Sequence, residues 1–247
     1  MTGFAALTRS EARLYRRDPV LLGFAFLLPL ALMLAFGLPE GSREPSPDFG
    51  GQVPIDTVLP SMALTIAFGM VGIFSLPGYL ADHRSRGVLR RLSTTPAHPA
   101  ALLLAELALS ALMAIAAVAL VLVVGAAALG MNLPDNVPGV LGVFVLGAAS
   151  LFGIGLLIAA VAPDPQKAWM FGSLVFFPSL FFAGVYLPRE QMGATLRQIS
   201  DLTPFSAFRE SLETTWTGGS PELLAIVVMA AWGAGAVALA AKAFRWE

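Results

Sequence analysis

No cysteine occurs in the chain, which excludes disulfides, thiolate catalysis and cysteine-based zinc sites. Charge is scarce as well. Asp, Glu, Lys and Arg make up 13% of the 247 residues, against about 25% in a soluble domain. The only lysines are Lys167 and Lys242, each followed by alanine. A G-x-x-x-x-G-K-[ST] phosphate loop therefore does not exist here, and the chain is no P-loop ATPase. His83 and His98 are the only histidines, and no H-E-x-x-H motif is formed. The net charge of −1 removes any global electrostatic case for nucleic acid. "GIGLLIA" (153–159) lacks both the third glycine and the preceding strand of a nucleotide loop. Gly153, Gly155 and Gly184 read instead as small residues that let helices pack closely. No enzymatic constellation emerges, and no metal or cofactor is expected on this chain.

What is present is apolar. Hydrophobic residues make up 57% of the chain, with a mean hydropathy of +0.77. About 20 apolar residues cross a bilayer as a helix, and a lipid-exposed segment must satisfy its own backbone hydrogen bonds. Six stretches qualify: 20–38, 58–80, 100–130, 137–162, 168–187 and 222–243. The sequence predicts one all-α polytopic membrane domain over 1–247. The pairs Asp18-Pro19, Asp164-Pro165 and Ser220-Pro221 supply helix-start chemistry. The third run would be about 46 Å long and must tilt or protrude. Four arginines precede the first apolar run and no small-residue cleavage site follows it, so no cleavable signal peptide is expected.

Orientation follows from basic residues. With the N-terminus inside, eleven of the fifteen fall in cytoplasmic segments; the others are Arg43, Arg189, Arg197 and Arg209. Both termini are thus placed in the cytoplasm. Outside, residues 39–57 read as an irregular loop rich in Pro, Gly and acid. Within 188–218, Met192, Leu196 and Ile199, then Phe205, Phe208, Leu212 and Trp216, recur at helical spacing. These predict two short amphipathic helices resting at the outer leaflet.

Residues 81–99, "ADHRSRGVLRRLSTTPAHP", form the most basic stretch. Wound as a helix over 82–95, they set Val88, Leu89 and Leu92 apart from Arg86, Arg90 and Arg91. Such a helix is either an anchor on anionic lipid or a docking surface for a cytoplasmic protein. The N-terminal 3–18 is also amphipathic. Phe4, Leu7, Leu14 and Tyr15 share one face, with Arg9, Arg13, Arg16 and Arg17 opposite, as in an interfacial helix. Glu11 projects from its apolar face, which is costly unless it is paired: it meets Arg90 or Arg91, faces another protein, or reaches water where the helix frays. Glu106 is the one candidate intramembrane acid. It reads as an interfacial carboxylate, with a proton relay or a helix-packing contact as alternatives.

Two stretches carry a family resemblance. "RSRGVLRRLSTTPAHPAALLLAEL" (84–107) resembles the cytoplasmic loop of ABC-2 type permeases, matching at Gly87, Leu89, Arg91, Leu92, Thr95 and Pro96. "FFPSLFFAGVYLPREQMGATLRQISDLTPFSAFRESL" (176–212) resembles their second signature at Phe182, Gly184, Pro188, Leu196, Ile199 and Pro204. The chain is most similar to bacterial drug exporters of the daunorubicin-resistance type. It departs from the pattern at Asp82-His83, where the family often has Glu, at Glu106, where it often has Lys, and at Ala183.

The resemblance implies a mechanism. Two permease chains, identical or paralogous, each rest on an ABC ATP-binding subunit that holds ATP and Mg. The cytoplasmic helix would be the coupling helix, with Arg84, Arg86, Gly87, Leu89, Arg90, Arg91 and Leu92 at the contact and Glu11 beside it. Pro178 inside the fifth span and Gly184 near its end suggest a bent outer gate, with Phe182 and Pro188 as its signature neighbours. The expected cargo is amphipathic, exported across the bacterial inner membrane through a route lined by Phe, Leu, Met and Val, with Thr65, Ser75 and Ser173 as its few polar groups. The alternatives are an ion-coupled carrier using Glu106, a membrane enzyme, and a docking or sensor subunit that moves nothing.

Overall fold

The computed structural model describes residues 19–85 and 100–243. The expected N-terminal helix 3–18 lies outside the described residues, as do Arg86 to Leu92 of the expected coupling helix. Among the described residues eight α-helices form a bundle and no strand is present.

The first helix, α1 (Pro19–Gly37), is closed at its C-terminus by Ser42, whose Oγ donates to the Gly37 carbonyl at 2.7 Å. The expected irregular loop that follows is ordered into three short 3₁₀ turns, Glu40–Arg43, Pro47–Phe49 and Pro54–Asp56. A bridge between Ser46 and Gln52 closes over Gly50 and Gly51. Both glycines have positive φ, 66° and 82°, which other residues rarely adopt.

The second helix, α2 (Val58–Ser85), is the axis of the bundle and almost wholly buried. It touches α1, α3 (Ala100–Val124, extended by a wide turn to Leu129), α4 (Val137–Val161), α5 (Pro165–Phe182) and α7 (Pro204–Trp216). Its middle, Met70–Ser75, widens into a π turn. Glycines explain how neighbours approach there. A Cβ on Gly155 of α4 would lie 1.9 Å from the Gly72 carbonyl oxygen, and one on Gly172 of α5 would lie 2.6 Å from that of Ile73. Backbone thus meets backbone across two interfaces. Small residues likewise let α8 (Leu223–Ala243) lie along α4, with a Cβ on Gly153 just 3.2 Å from the Gly233 carbonyl. By contrast, α3 packs chiefly on α2 and α1, with much of its surface exposed.

Several starts follow local chemistry. Asp164 Oδ1 accepts from the Lys167 amide at 2.8 Å, and Asn136 Oδ1 from Gly139 at 2.9 Å. Thr203 Oγ1 accepts from the Ser206 amide at 3.4 Å, with Pro204 in the first turn. These satisfy donors that a helix N-terminus leaves open.

Four helices are long and apolar enough to cross a membrane: Val58–Ser85, Leu103–Leu129, Val137–Val161 and Leu223–Ala243. The chain is therefore an all-α, multi-pass membrane protein. In α1 the described apolar run is the shorter Ala25–Gly37. In α5, Gln166, Lys167 and Pro178 dilute the apolar character, and the helix stops at Phe182 rather than 187. Gly184, at φ 77°, turns the chain away.

The two outer helices differ from each other. The first, α6 (Ala194–Asp201), keeps an exposed face that includes Ile199. The second, α7, does not rest on a surface: Phe205, Phe208, Leu212 and Trp216 are buried, and so are Ser206, Ala207, Ser211 and Thr215. It inserts among α2, α4, α5 and α8. Small side chains permit that approach, and Thr215 returns its hydroxyl to the Ser211 carbonyl at 2.6 Å.

Candidate coupling end and outer clasp

The basic loop leaves the bundle where α2 and α4 end and α3 and α5 begin. Alanines make that end tight: Ala81, Ala162 and Ala168 form one fully buried cluster with Phe171 packed on it. Arg84, the one expected coupling residue among the described residues, donates from Nη1 to the Ala160 carbonyl at 3.4 Å. A cation there complements the negative end of α4. One residue earlier, His83 turns to α3. Its Nε2 lies 3.1 Å from Glu106 Oε1, and both side chains are buried.

Glu106 stands near the start of α3, at the end of the bundle that carries the basic loop. It sits in the second turn of α3, fully buried, in a helix-packing contact with His83. These two positions are also where the sequence departs from the permease pattern. The structure joins two of the three departures into one pair, with the base on α2 and the acid on α3. Glu11, Arg86, Gly87, Leu89, Arg90, Arg91 and Leu92 lie outside the described residues.

The opposite end carries a second polar cluster. Beyond α5 the chain turns at Gly184, and the carbonyls left open at the helix end are capped from two directions. Ser200 Oγ donates to the Phe182 carbonyl at 2.6 Å, and Arg209 Nη1 to that of Ala183 at 2.8 Å. Gly184 makes room for that guanidinium, since a Cβ would lie 2.6 Å from Arg209 Nη1. Arg209 is itself buried and pairs through Nη2 with Glu213 Oε2 at 3.0 Å. Arg189, just after Pro188, pairs with Asp201 and Glu210. Ser206 Oγ donates to Glu210 at 2.7 Å and meets Ser200 Oγ at 2.8 Å. Burial pushes the Glu213 carboxyl above its ordinary value of 4.5, Arg209 opposes this, and Glu190 adds to it.

Of the expected gate residues, the structure brings Phe182, Gly184 and Pro188 to this clasp. Pro178 stands apart, exposed on α5. The clasp's own ionic residues, Arg189, Asp201, Arg209, Glu210 and Glu213, were missed in sequence. The signal available was the i,i+4 spacing of Arg209–Glu213 and Ser206–Glu210 on one helix.

Between the two ends the chain is packed. Phe68 of α2 stacks on Phe144 of α4 at 5.4 Å and meets Phe208 of α7 at 5.0 Å. Phe74 meets Phe176 of α5 edge-on at 5.1 Å. Thr65, Ser75 and Ser173 return their hydroxyls to their own helices, at the carbonyls of Ser61, Met70 and Trp169. A groove of about 600 Å³ does separate α3 from α4 and α8, bounded by Leu107, Ala111, Phe152, Gly153, Ala234 and Ala238 among others.

The described residues form a multi-pass helical bundle with a packed interior and an ionic cap. The family model for the ABC-2 type transporter matches residues 2–215. The chain belongs to this family, and membership makes it the permease component of an ABC-type transporter, partnered by an ABC ATP-binding subunit. No curated protein and no solved structure matches it significantly.

Proposed function

We propose that this chain is the transmembrane subunit of an ATP-driven exporter in the bacterial inner membrane, similar to the daunorubicin-resistance type. It moves an amphipathic or hydrophobic cargo, drug-like or lipid-like, outward. It crosses the membrane six times, with α1 and α5 as the additional spans and both termini in the cytoplasm. ATP and Mg stay on the separate ATP-binding subunit, and this chain performs no hydrolysis. A second permease chain, identical or paralogous, completes the route.

The observation that carries this reading is the family match across nearly the whole chain, basic loop included. Three features support it. Basic residues favour one side, as cytoplasmic segments do. The aromatic core fills the single subunit, so a route along its surface, shared with a second chain, fits better than one through it. Glu106 lies near one end of α3 and is held by His83, which suits a structural pair better than the mid-span acid of an ion-coupled carrier.

The test uses inverted vesicles containing the full transporter and an amphipathic fluorescent dye as probe. The wild type should accumulate dye with ATP. Arg90→Glu with Arg91→Glu should insert normally and keep vanadate-sensitive ATP hydrolysis, yet accumulate dye about tenfold more slowly, the loss of about 1.4 kcal/mol at the contact. Wild-type uptake by that variant contradicts the coupling role. Uptake driven by an ion gradient without ATP favours the carrier, and hydrolysis without uptake by the wild type favours a docking subunit.

A further inference from the structure

The peripheral position of α3, the buried pair at its base and the groove beside it point to one device. Among the described helices α3 leans chiefly on α2 and α1. It stands off α4 and α8 across the groove of about 600 Å³. The α3 residues that face this groove, Leu107 and Ala111, follow Glu106 immediately and one turn later. On the other side of the joint, His83 belongs to the last turns of α2, just before the basic loop. Arg84 beside it is tied to the end of α4.

We infer that the His83–Glu106 pair is the latch through which the basic loop steers α3. A displacement of the α2 end swings α3 toward or away from α4 and α8, and the groove is the space into which it swings. His83 and Glu106 are positioning residues in this account, since they touch no cargo.

Several physical points support the latch. A buried hydrogen-bonded pair is directional and costly to break, whereas the apolar contacts between α2 and α3 can slide. The pair lies within about a turn of Leu107 and Ala111, so a shift of Glu106 is passed directly to the wall of the groove. The groove walls are mostly Ala, Gly and Leu, with Phe152, Met229 and Val237 the larger side chains, so closing it buries no charged group. Discrete helix shifts of about 1–5 Å are the usual scale of such transitions.

The inference rests on the coupling role proposed above, and its test separates the two. Because the chain contains no cysteine, spin labels can be placed without background at Ala111→Cys and Ala234→Cys, on opposite walls of the groove. The full transporter with its ATP-binding subunit, in lipid nanodiscs, is measured by pulsed electron resonance with and without Mg-ATP and vanadate. The expected result is an interlabel distance change of about 2–5 Å in the otherwise unaltered chain. It should be abolished in Glu106→Ala and His83→Ala, and restored when the residues are exchanged in His83→Glu with Glu106→His. The exchange keeps the pair but no other contact of either residue, so rescue separates a latch from local folding.

A change that survives in Glu106→Ala overturns the inference and leaves the coupling role standing. So does a change that is lost in the single variants and not restored by the exchange. No change in the unaltered chain overturns it too, while the coupling role is judged separately by the Arg90 and Arg91 variant.

Discussion

At the scale of single residues the ionic clasp holds the sharpest energetics. Arg209 is buried with two partners, the Ala183 carbonyl and Glu213. Removing it leaves a buried carboxyl without its cation, so Arg209→Ala should destabilise the chain by about 3–5 kcal/mol. Thermal unfolding in detergent checks this, and Arg209→Ala with Glu213→Ala should lose less than Arg209→Ala alone. Glu213 also predicts a pH dependence. Its folded pKa is raised because burial outweighs the attraction of Arg209. Its contribution is therefore fully present below the ordinary 4.5 and lost as pH rises through the raised value. Glu213→Gln stays neutral, so from pH 5 to 8 its melting temperature should gain on that of the wild type. A difference that does not vary with pH contradicts the assignment.

At the scale of elements, glycine placement decides which helices touch. Gly155→Ala would drive a methyl into the Gly72 carbonyl, and should cost about 1–3 kcal/mol through overpacking. Gly142→Ala on the same helix, with no neighbour within 4 Å, should be neutral or slightly stabilising by helix propensity. Unfolding of the two variants side by side checks the π-turn contact. Much at this scale was legible in sequence. The apolar runs over 58–80, 100–130, 137–162 and 222–243 correspond to the four helices able to span, and Asp164 caps α5. The depth of α7 was not legible, because Ser206, Ser211 and Thr215 read as a polar face until their hydroxyls are seen turned inward or onto their own helix. Nor was the widening at Met70–Ser75, whose only trace is the pair Gly69 and Gly72. The His83–Glu106 pair was beyond periodicity altogether: its members are 23 residues apart, and only the fold brings these two departures from the permease pattern together.

At the scale of the whole molecule the question is where the energy comes from. The chain has no phosphate loop, its described interior is filled by aromatic side chains, and Glu106 contacts His83. Such a subunit moves cargo only if another protein drives it, and the basic loop is the surface proposed to receive that drive. The most direct measurement is purification of the chain in mild detergent from its native membrane, with mass spectrometry and an ATPase assay on the product. A stoichiometric P-loop protein with vanadate-sensitive hydrolysis is the predicted result. A chain that purifies alone, without hydrolysis, while its vesicles still move cargo on an ion gradient, would contradict the account.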